Sequence, residues 1–548
     1  MSSNAFGQRL RELRKSRNLS LRKLAASLDV HYVYISQLER GIEKPSENLI
    51  KRIAEVFNLQ NVDELLLSAE KIPSDLRRIL VENPAEAPVL LREHVGGTFM
   101  DRRRQDILQM WKHNYSNGLV EFPIIEEIKA VKHKGYDVSR AEALIPKGHD
   151  LYAAGETEKL LKHIAVIRKA LHDAPRVADP DFYSPATFEE IRASLPSTVA
   201  PGTDQIRSDF EPAAQIYYDK IYGGWLGKCI GGALGMPVEG WPSAKISGTY
   251  GEISNYLSTP CTVNDDTSYE IVFIHALKEH GIDLTSEDLA LEWLEHIPIG
   301  YTAEKVALDN LRKGLMPPLS ATTDNPYSEW IGAQMRGEVC GFIAPGRPEI
   351  AIEYAYKDAI ISHEREGVYG EMYDAALISL AFVEKDVRRV LKIGLGFVPP
   401  RSRFAKVVRD AIEWSRTSKD WREAWNKAEQ SYLADYHWVH TFPNIAAVVI
   451  GLWFGEGDFE RTICITTMCG LDTDCTAGQA GAIVGTIIGA GQIPAKWKAP
   501  IGDRLDSEVI GFEHLHISDI SKWTLGIGKE VLSKRTTDHG PAEEVTAI

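Results

Sequence analysis

Four glycines at a regular spacing restrict how this chain can fold more than any other feature. They lie in an apolar segment from residue 221 to 240, each four residues from the next: Gly223, Gly227, Gly231 and Gly235. Residues four apart line one face of an α-helix, and a face of glycines lets a second helix approach closely. The segment therefore predicts a core helix packed tightly against another. Pro237 is expected to end it, with Glu239 on the loop beyond.

Two acidic clusters open later apolar segments. The first is Asn264-Asp265-Asp266-Thr267, and the second, about two hundred residues further on, is Asp472-Thr473-Asp474-Cys475. The segment from Ala477 to Gly491 follows the second cluster and is predicted to be a buried helix. Like charges at a helix start cost free energy unless the helix dipole or a cation offsets them. For either cluster alone, simple helix capping by Asp is the alternative.

The carboxylates of these clusters offer oxygen ligands, and no histidine lies close to them in the sequence. Carboxylate oxygens suit hard cations, whereas Zn²⁺ in proteins favours nitrogen and sulfur. The expected cofactor is therefore Mg²⁺, with Mn²⁺ as the alternative.

Composition predicts a globular protein of several domains. Of the 548 residues, 44% are apolar and 25% are charged. The N-terminal residues lack the apolar core of a signal peptide, and the longest apolar runs, near 445–455 and 477–491, are too short to span a bilayer. The six cysteines form no CxxC pair, which favours buried reduced thiols. We therefore expect a soluble, cytoplasmic protein with no membrane partner.

Charge is distributed unevenly along the chain. Residues 1–60 hold eleven Lys or Arg against six Asp or Glu, a net charge of +5, whereas the remainder holds 51 against 71, a net charge of −20. A small basic head on an acidic body predicts that only the head meets a polyanion.

The basic head is predicted to consist of short helices. These are Phe6–Arg17, Leu21–Leu28, His31–Arg40 and Glu47–Phe57, with N-caps at Ser20 and Ser46 and a C-cap at Gly41. Two short helices joined by a tight turn are typical of a helix-turn-helix. The string from Ile35 to Gly41, followed by Lys44-Pro45-Ser46, resembles the Cro/phage-repressor class of helix-turn-helix domains.

This resemblance implies that double-stranded DNA is a partner and that the helix at 31–40 enters the major groove. The candidates for base contact are His31, Tyr32, Val33, Ser36 and Gln37, of which Gln37 suits bidentate pairing with adenine. The candidates for phosphate contact are Arg22, Lys23, Arg40 and Lys44. A homodimer is expected, because such heads gain affinity in pairs. The alternative is a protein-interaction module that shares the fold.

Three elements further along resemble the ADP-ribosylglycohydrolase family, an all-α fold that binds two metal ions. They are Gly235-x-x-x-Glu239 and the two acidic clusters, in that order. The similarity runs from about Tyr217 to Trp497 and also includes Ile361–Glu364, Gly367–Met372 and His440–Asn444. It implies an all-α chain with a small helix-turn-helix domain followed by a large all-helical ADP-ribosylglycohydrolase-like domain.

The predicted domain limits follow from these elements and from the proline-rich stretches. They are residues 1–70 for the helix-turn-helix, 71–100 for a connector, 101–210 for a helical extension with a Pro-rich linker, 211–505 for the large domain, and 506–548 for a C-terminal segment with a partly disordered tail.

The resemblance also implies roles for individual residues. Two Mg²⁺ ions would be held by Asp265, Asp266, Asp472 and Asp474, and the metal-site candidates also include Asn264 and Cys475 at the flanking positions. The catalytic candidates are Glu239, Asp265 and Asp474, and the substrate-binding candidates are His363, Gly367 and Asn444. For His363 a buried ring bonded to a backbone carbonyl is the alternative, and for Asn444 a turn position.

The clusters depart from the family pattern at both flanking positions. Asn264 stands where the family usually has Thr, and its amide oxygen still suits a hard cation. Cys475 also stands where Thr is usual, and a thiol is a poor Mg²⁺ ligand, so one ion is expected to be bound differently, weakly or not at all.

Cleavage of a glycosidic bond builds positive charge on the sugar ring, which carboxylates stabilise. The leading hypothesis is a metal-dependent glycosidic hydrolase of an ADP-ribosyl or nucleoside/sugar conjugate, fused to a sequence-specific DNA-binding head. Its substrate partner would be a small molecule or an ADP-ribosylated protein. The alternative is a transcription regulator whose hydrolase-like domain senses an ADP-ribose-like ligand without turnover. A helical scaffold with no small-molecule site is a third possibility, which the acidic clusters oppose.

Overall fold

The structure is a computed structural model of the chain. It describes residues 5–71 apart from 18, 29, 58, 60, 61 and 70, then residues 107, 108, 110 and 111, residues 123–196 apart from 178, and residues 214–535. The predicted connector after residue 71, the end of the predicted Pro-rich linker (197–210) and the predicted tail after residue 535 lie outside the described residues. The chain divides into two compact units, Met1–Pro123 with Gly148–His163 and Ile124–Lys147 with Ile164–Ile548.

The N-terminal head of the first unit is a set of short helices around its own apolar core. They are α1 (Ala5–Ser16), α2 (Leu21–Ser27), α3 (Tyr32–Arg40), α4 (Glu47–Phe57) and α5 (Val62–Ser68). Leu10, Leu24 and Ile35 are among the residues that fill this core. Helix α3 begins one residue later than the prediction, because His31 is its N-cap and accepts a hydrogen bond from the Val33 N–H. Gly41 ends it at a φ of +77°, which glycine adopts without strain.

A second helical group precedes the large body. It consists of α6 (Ile124–His133), α7 (Ser139–Glu142), α8 (Ile145–Ala153), α9 (Thr157–His172) and α10 (Phe188–Ser194). Within the second unit, Lys134 at the end of α6 pairs with Glu364 at 2.7 Å, and the Tyr183 N–H donates to the Arg401 carbonyl at 3.0 Å. The members of this group that belong to the second unit, 124–147 and 164–196, are therefore packed against the body.

Helices form the large body almost entirely. Its first half contains α11 (Ala214–Gly235), α12 (Ser243–Tyr250), α13 (Asp265–His280), α14 (Ser286–His296), α15 (Thr302–Leu311), α16 (Leu319–Thr322), α17 (Glu338–Phe342) and α18 (Pro348–Ala359). Its second half contains α19 (Glu366–Ala381), α20 (Val387–Gly394), α21 (Arg403–Thr417), α22 (Trp421–Ala428), α23 (Thr441–Gly455), α24 (Phe459–Cys469), α25 (Thr473–Ile488), α26 (Ala495–Ile501) and α27 (Ile517–Arg535). The fold is all-α with a helix-turn-helix head and a large helical body, as predicted.

The strands of the body are very short. Strand β1 (Trp241–Pro242) pairs antiparallel with β2 (Gly470–Leu471), and β3 (Arg504–Asp506) pairs antiparallel with β4 (His514–His516). The first pair matters for the site, because β1 follows Glu239 and β2 leads directly into Asp472.

The glycine face of α11 packs on α25, the helix that carries the second acidic cluster. A methyl group on Gly227 would lie 2.1 Å from the Gly481 carbonyl oxygen, and one on Gly231 would lie 2.0 Å from that of Ala477. Gly223 and Gly235 meet the carbonyls of Gly485 and Thr473 in the same way. These contacts confirm the predicted close helix pair.

The predicted limits of this helix pair shift slightly. Helix α11 ends at Gly235 and continues as a 3₁₀ turn, Met236–Val238, that contains Pro237. The partner begins four residues before the predicted Ala477 and ends at Ile488 rather than Gly491, because Gly489 leaves the helix at a φ of +78°. Over the part of the chain that the structure describes, no helix is both long and apolar enough to cross a membrane.

Candidate functional site

The first acidic cluster forms the N-terminal turn of α13. Asn264 is the N-cap, and its side-chain oxygen accepts the Asp266 N–H at 3.0 Å. The hydroxyls of Thr267 and Ser268 donate to the Asn264 carbonyl oxygen, each at 3.1 Å. Because Asn264 does the capping, the carboxylates of Asp265 and Asp266 are left free of that task.

The second cluster forms the N-terminal turn of α25, directly after β2. Asp472 is the N-cap residue, yet its carboxylate makes no capping hydrogen bond. The turn is held instead from outside: the Thr473 hydroxyl donates to the Gly235 carbonyl oxygen at 2.8 Å. Gly470, at a φ of +80°, fits there because a Cβ would lie 2.4 Å from the Trp241 carbonyl oxygen.

The fold brings the two clusters together. The side-chain amide of Asn264 donates to Asp474 Oδ2 at 3.3 Å, and the Cys475 thiol donates to Asp266 Oδ1 at 3.2 Å. Ligand atoms of Asp266, Asp474 and Cys475 all lie within 4.8 Å of one another. Those of Glu239, Asp472 and Asp474 form a second such group, so Asp474 belongs to both.

Two carboxylate oxygens of this cluster have no hydrogen-bond partner although they are buried, namely Asp266 Oδ2 and Asp474 Oδ1. A buried acceptor left without a partner costs about 1–3 kcal/mol, and more when it is charged. A hard cation is the ligand that oxygens of this kind bind, so the residues present fit Mg²⁺.

The pKa values of the cluster carboxyls reflect the same crowding of negative charge. Burial, followed by the charge of Asp474, raises the pKa of Asp265 to about 7. Burial also raises the pKa of Asp266, Asp472 and Asp474. Glu239 is exposed at the rim, and the charge of Asp474 together with desolvation raises its pKa. The cluster is therefore set to take up either protons or a cation.

A buried lysine lies behind the cluster. Lys228 Nζ on α11 is 2.8 Å from Glu338 Oε1 and 3.8 Å from Glu270 Oε2. Burial alone would lower its pKa, but the charges of Glu270, Glu338 and Asp266 raise it, so the lysine is charged. Lys228, Asn264 and Asp266 line a cavity of about 10 Å³, room for roughly one water molecule. Sequence reasoning missed Lys228, and its signal was a single charge inside an apolar glycine-rich helix.

The predicted substrate-binding residues do not all reach the cluster. His363 is buried, and its Nδ1 is 2.8 Å from the Ser362 hydroxyl, which accepts a hydrogen bond from Arg336. Burial lowers its pKa well below the usual value. A Cβ on Gly367 would lie 2.5 Å from the Ser328 carbonyl oxygen. Within the described part of the chain, the hydrogen bonds of His363 do not extend to the acidic clusters.

Asn444, in contrast, holds the second cluster directly. Its side-chain oxygen accepts the Asp472 N–H at 3.3 Å, while its amide donates to the carbonyl oxygens of Trp438 and His440 at 2.7 and 3.0 Å. The residue is buried in the first turn of α23. Its amide is fully used, which indicates that it positions Asp472. The alternative of a loop turn is wrong for this residue.

The predicted DNA-contact residues lie on the surface of the head. His31, Arg40 and Lys44 are exposed, as are Arg22 and Lys23 on α2. Partly exposed positions on α3 are Tyr32, Val33, Ser36 and Gln37, whereas the intervening Ile35, Leu38 and Glu39 are buried. Glu39 is held by a bidentate pair with Arg14 at 2.5 and 2.8 Å. One face of α3 therefore packs on the core and the predicted face remains accessible.

Comparisons with known proteins assign both parts of the chain. The family model for ADP-ribosylglycohydrolase matches residues 213–522, and the family model for helix-turn-helix matches residues 10–65. One similar protein is the ADP-ribosyl-(dinitrogen reductase) glycohydrolase of Rhodospirillum rubrum, 24% identical over 53% of this chain and 93% of that protein. Another is the uncharacterized protein YegU of Escherichia coli (strain K12), 24% identical over 52% of this chain and 92% of that protein.

The head has its own relatives. Residues of the head are 41% identical to the control protein C.BamHI of Bacillus amyloliquefaciens over 61 residues, which cover 11% of this chain and 75% of that protein. The ADP-ribosylglycohydrolase match spans more than half of the 548 residues. The chain therefore belongs to the ADP-ribosylglycohydrolase family and carries a helix-turn-helix domain at its N-terminal end.

Proposed function

We propose that this protein is a metal-dependent hydrolase of a glycosidic bond in an ADP-ribosyl, nucleoside or sugar conjugate, joined to a sequence-specific DNA-binding head. The observation that carries the metal dependence is the pair of buried oxygens without partners, Asp266 Oδ2 and Asp474 Oδ1. They lie between the N-terminal turns of two helices, in a cluster whose pKa values are raised.

The ions would be held by Asp265, Asp266, Asp472 and Asp474. Two overlapping groups of ligand atoms meet at Asp474, which supports two ions. When bound, Mg²⁺ supplies Lewis acidity toward substrate oxygens. Mn²⁺ shares this preference for oxygen ligands.

The residues at the two unusual positions are proposed to position ligands rather than to bind the ion. The side-chain oxygen of Asn264 is used by the Asp266 N–H. Burial raises the pKa of the Cys475 thiol, so the thiol keeps its proton and donates a hydrogen bond to Asp266 Oδ1. This hydrogen bond fixes the Asp266 carboxylate with its other oxygen free.

Glu239 is the candidate for proton transfer. It lies at the exposed rim, and its carboxylate is within 4.8 Å of ligand atoms of Asp472 and Asp474. Its pKa is raised. A carboxyl group that keeps a proton near neutral pH can pass it to a leaving group, and the ionised form then stabilises the positive charge that develops on the sugar ring. The remaining carboxylates add to that stabilisation.

The head is proposed to bind double-stranded DNA through α3, with base contacts from its exposed N-terminal residues, as a homodimer. The accessible face of α3 and the net positive charge of residues 1–60 support the contact with DNA. The acidic body is expected to contribute little to DNA affinity, because like charges repel.

A second candidate function is a regulator that binds the conjugate without cleaving it. The observation in its favour is that Asn264 and Cys475 already bond to Asp474 and Asp266, which leaves fewer oxygens for an ion. In this case ligand binding to the body would change DNA binding by the head.

One experiment separates the two. Full-length protein is treated with EDTA, reconstituted with Mg²⁺, and incubated with ADP-ribosylated protein, ADP-ribose derivatives and nucleosides while product release is measured. We expect release that needs Mg²⁺ and is lost in Asp474→Asn. Asp519→Asn, an exposed position on α27, is the matched control and should keep activity. Full activity after EDTA would refute the metal mechanism, and Mg²⁺-dependent binding without release would favour the regulator.

A further inference from the structure

A cluster of three histidines around one glutamate lies elsewhere on the body, between α13 and α14. His275 and His280 are on the C-terminal half of α13, and Glu292 and His296 are on α14. Asp265 and His275 are ten residues apart on the same helix. At about 1.5 Å per residue, the two sites are therefore separated by roughly 15 Å along its axis.

The carboxylate of Glu292 is the centre of the cluster. His275 Nδ1 lies 2.8 Å from its Oε2, His296 Nε2 lies 3.4 Å from the same oxygen, and His280 Nε2 lies 2.9 Å from Oε1. Each oxygen of the Glu292 carboxylate therefore lies within hydrogen-bond distance of an imidazole nitrogen. Glu292 Oε2 is the oxygen that lies near two imidazole nitrogens, those of His275 and His296.

The two ring nitrogens of His296 face different partners, the Ile510 carbonyl oxygen and the Glu292 carboxylate. Its Nδ1 lies 2.9 Å from the Ile510 carbonyl oxygen, which can only accept, so Nδ1 carries the proton. In the neutral ring Nε2 then presents a lone pair, and this lone pair faces Glu292 Oε2. Two acceptors repel each other unless a proton on Nε2 or a cation lies between them.

The spacing suits a metal ion. Ligand atoms of His275, Glu292 and His296 all lie within 4.8 Å of one another. Two ligands at about 2.0–2.1 Å from a tetrahedral Zn²⁺ are about 3.3 Å apart. The Glu292–His296 pair, at 3.4 Å, already has this spacing, and the Glu292–His275 pair, at 2.8 Å, has to open by about 0.5 Å. Imidazole and carboxylate form a ligand set that Zn²⁺ and related transition metals take, whereas Mg²⁺ prefers oxygen alone.

The surroundings support the ligands in the manner of a metal site. The Ile510 carbonyl orients the His296 ring, and His280 orients Glu292 through the oxygen that faces away from the other two nitrogens. Such partners of metal ligands strengthen binding by fixing the tautomer and the ring orientation. Phe512 packs against His275 and His296, with ring centroids 5.0 and 5.6 Å apart, and partly excludes water.

We propose that His275, Glu292 and His296 form a binding site for a divalent transition metal, Zn²⁺ by its ligand chemistry, distinct from the acidic Mg²⁺ cluster. The ion ties α13 to α14. Through Ile510 and Phe512 it also ties both helices to the segment between β3 and β4. Because the first turn of α13 carries Asp265 and Asp266, the ion stabilises the helix on which the acidic cluster is built.

The test uses full-length protein freed of metal by a chelator and held in excess Mg²⁺, so that the acidic cluster is filled. Zn²⁺ is titrated by calorimetry, and the melting temperature is followed. We expect one equivalent to bind and the melting temperature to rise, since a ligand that binds only the native state stabilises it. In H275Q/H296Q the affinity should fall by more than about 100-fold, and H280Q should weaken it by about 10–100-fold.

Two controls keep the outcome decisive. H514Q/H516Q removes two exposed histidines on β4 and should bind Zn²⁺ as the unchanged protein does. D474N disrupts the acidic cluster and should still bind one equivalent of Zn²⁺. Co²⁺ bound at the histidine cluster should show no thiolate charge-transfer band, since Cys475 belongs to the acidic cluster. The proposal is overturned if no Zn²⁺ binds, if H275Q/H296Q binds it normally, or if D474N abolishes binding.

Discussion

Replacing one glycine of α11 should have a large effect on stability, because the glycine face touches backbone rather than side chains. In Gly231→Ala the new methyl carbon would lie 2.0 Å from the Ala477 carbonyl oxygen and 2.3 Å from its carbon. Favourable contact distances begin at about 3.5 Å, so the two helices must separate by roughly 1 Å or more. Neither helix can relieve this by rotating a side chain.

The expected cost follows from the packing of α11 against α25. Overpacking a well-packed core costs about 1–3 kcal/mol, and a backbone contact belongs at the upper end of that range. At roughly 2 °C per kcal/mol for a large domain, the midpoint of thermal unfolding should fall by about 6 °C. Differential scanning calorimetry of the full-length protein, with and without Mg²⁺, measures this.

Gly526→Ala is the matched control. Gly526 lies in α27, with no atom within 4 Å of the added methyl group. Alanine there should raise stability by about 0.4–1 kcal/mol by restricting the unfolded chain. If Gly231→Ala is as stable as Gly526→Ala, the close helix pair is not what the contacts indicate.

The same helix pair gives a graded effect on the site. In Gly235→Ala the new methyl carbon would lie 2.1 Å from the carbonyl oxygen of Thr473, which stands between two of the cluster aspartates. In Gly223→Ala it would lie 2.3 Å from the carbonyl oxygen of Gly485, at the far end of α25. Both changes should destabilise the fold similarly, but Gly235→Ala should weaken Mg²⁺ binding more. Equal Mg²⁺ affinities in the two variants would contradict the idea that this packing positions the carboxylates.

Three further predictions concern the clusters and the head. Burial raises the pKa of Asp265 to about 7, above the unfolded value of about 3.9, so the folded state binds this proton more tightly. The metal-free protein should therefore lose stability as pH rises from about 4 to 7, while the rise in melting temperature that Mg²⁺ produces should grow over the same window. Cys475→Thr should preserve or strengthen Mg²⁺ binding in calorimetry, and its loss in a folded variant would show that the thiol has a role of its own. In electrophoretic mobility assays, Gln37→Ala should reduce discrimination between operator and random DNA by about 1–3 kcal/mol. Lys44→Ala should instead weaken binding to all sequences and flatten its salt dependence. If the unchanged protein shows no salt-sensitive affinity for DNA, the head is better explained as a protein-interaction module.

The features that could be predicted from the sequence are those that depend on residues close to one another in the chain. The four-residue glycine spacing gives the helix α11 and its close contact, because a helix turn is a property of neighbouring residues. The caps at Ser20 and Gly41 gave helix limits in the head for the same reason. The acidic clusters were recognisable because each marks the start of a helix, and helix starts leave a local signal.

The features that were missed depend on contacts across the chain. Asn444 reads as a turn residue after proline, yet it accepts the N–H of Asp472, 28 positions away. Glu292 and His275 are separated by a helix end and a turn, and the Ile510 carbonyl that orients His296 comes 214 positions later. No local pattern encodes such pairs, because the fold alone decides which distant residues meet.

The charge arrangement explains how the fold tolerates a cluster of carboxylates in its interior. Two helix N-termini and the charged Lys228 face the cluster and offset part of its repulsion. They do not offset all of the repulsion, because Asp266 Oδ2 and Asp474 Oδ1 still lack a hydrogen-bond partner. Asp474 is the residue common to both ligand groups, so its loss should disturb both, whereas loss of Asp266 or Glu239 should disturb one. The uncompensated negative charge therefore lies on Asp266 and Asp474, and a divalent cation is the simplest group that offsets it.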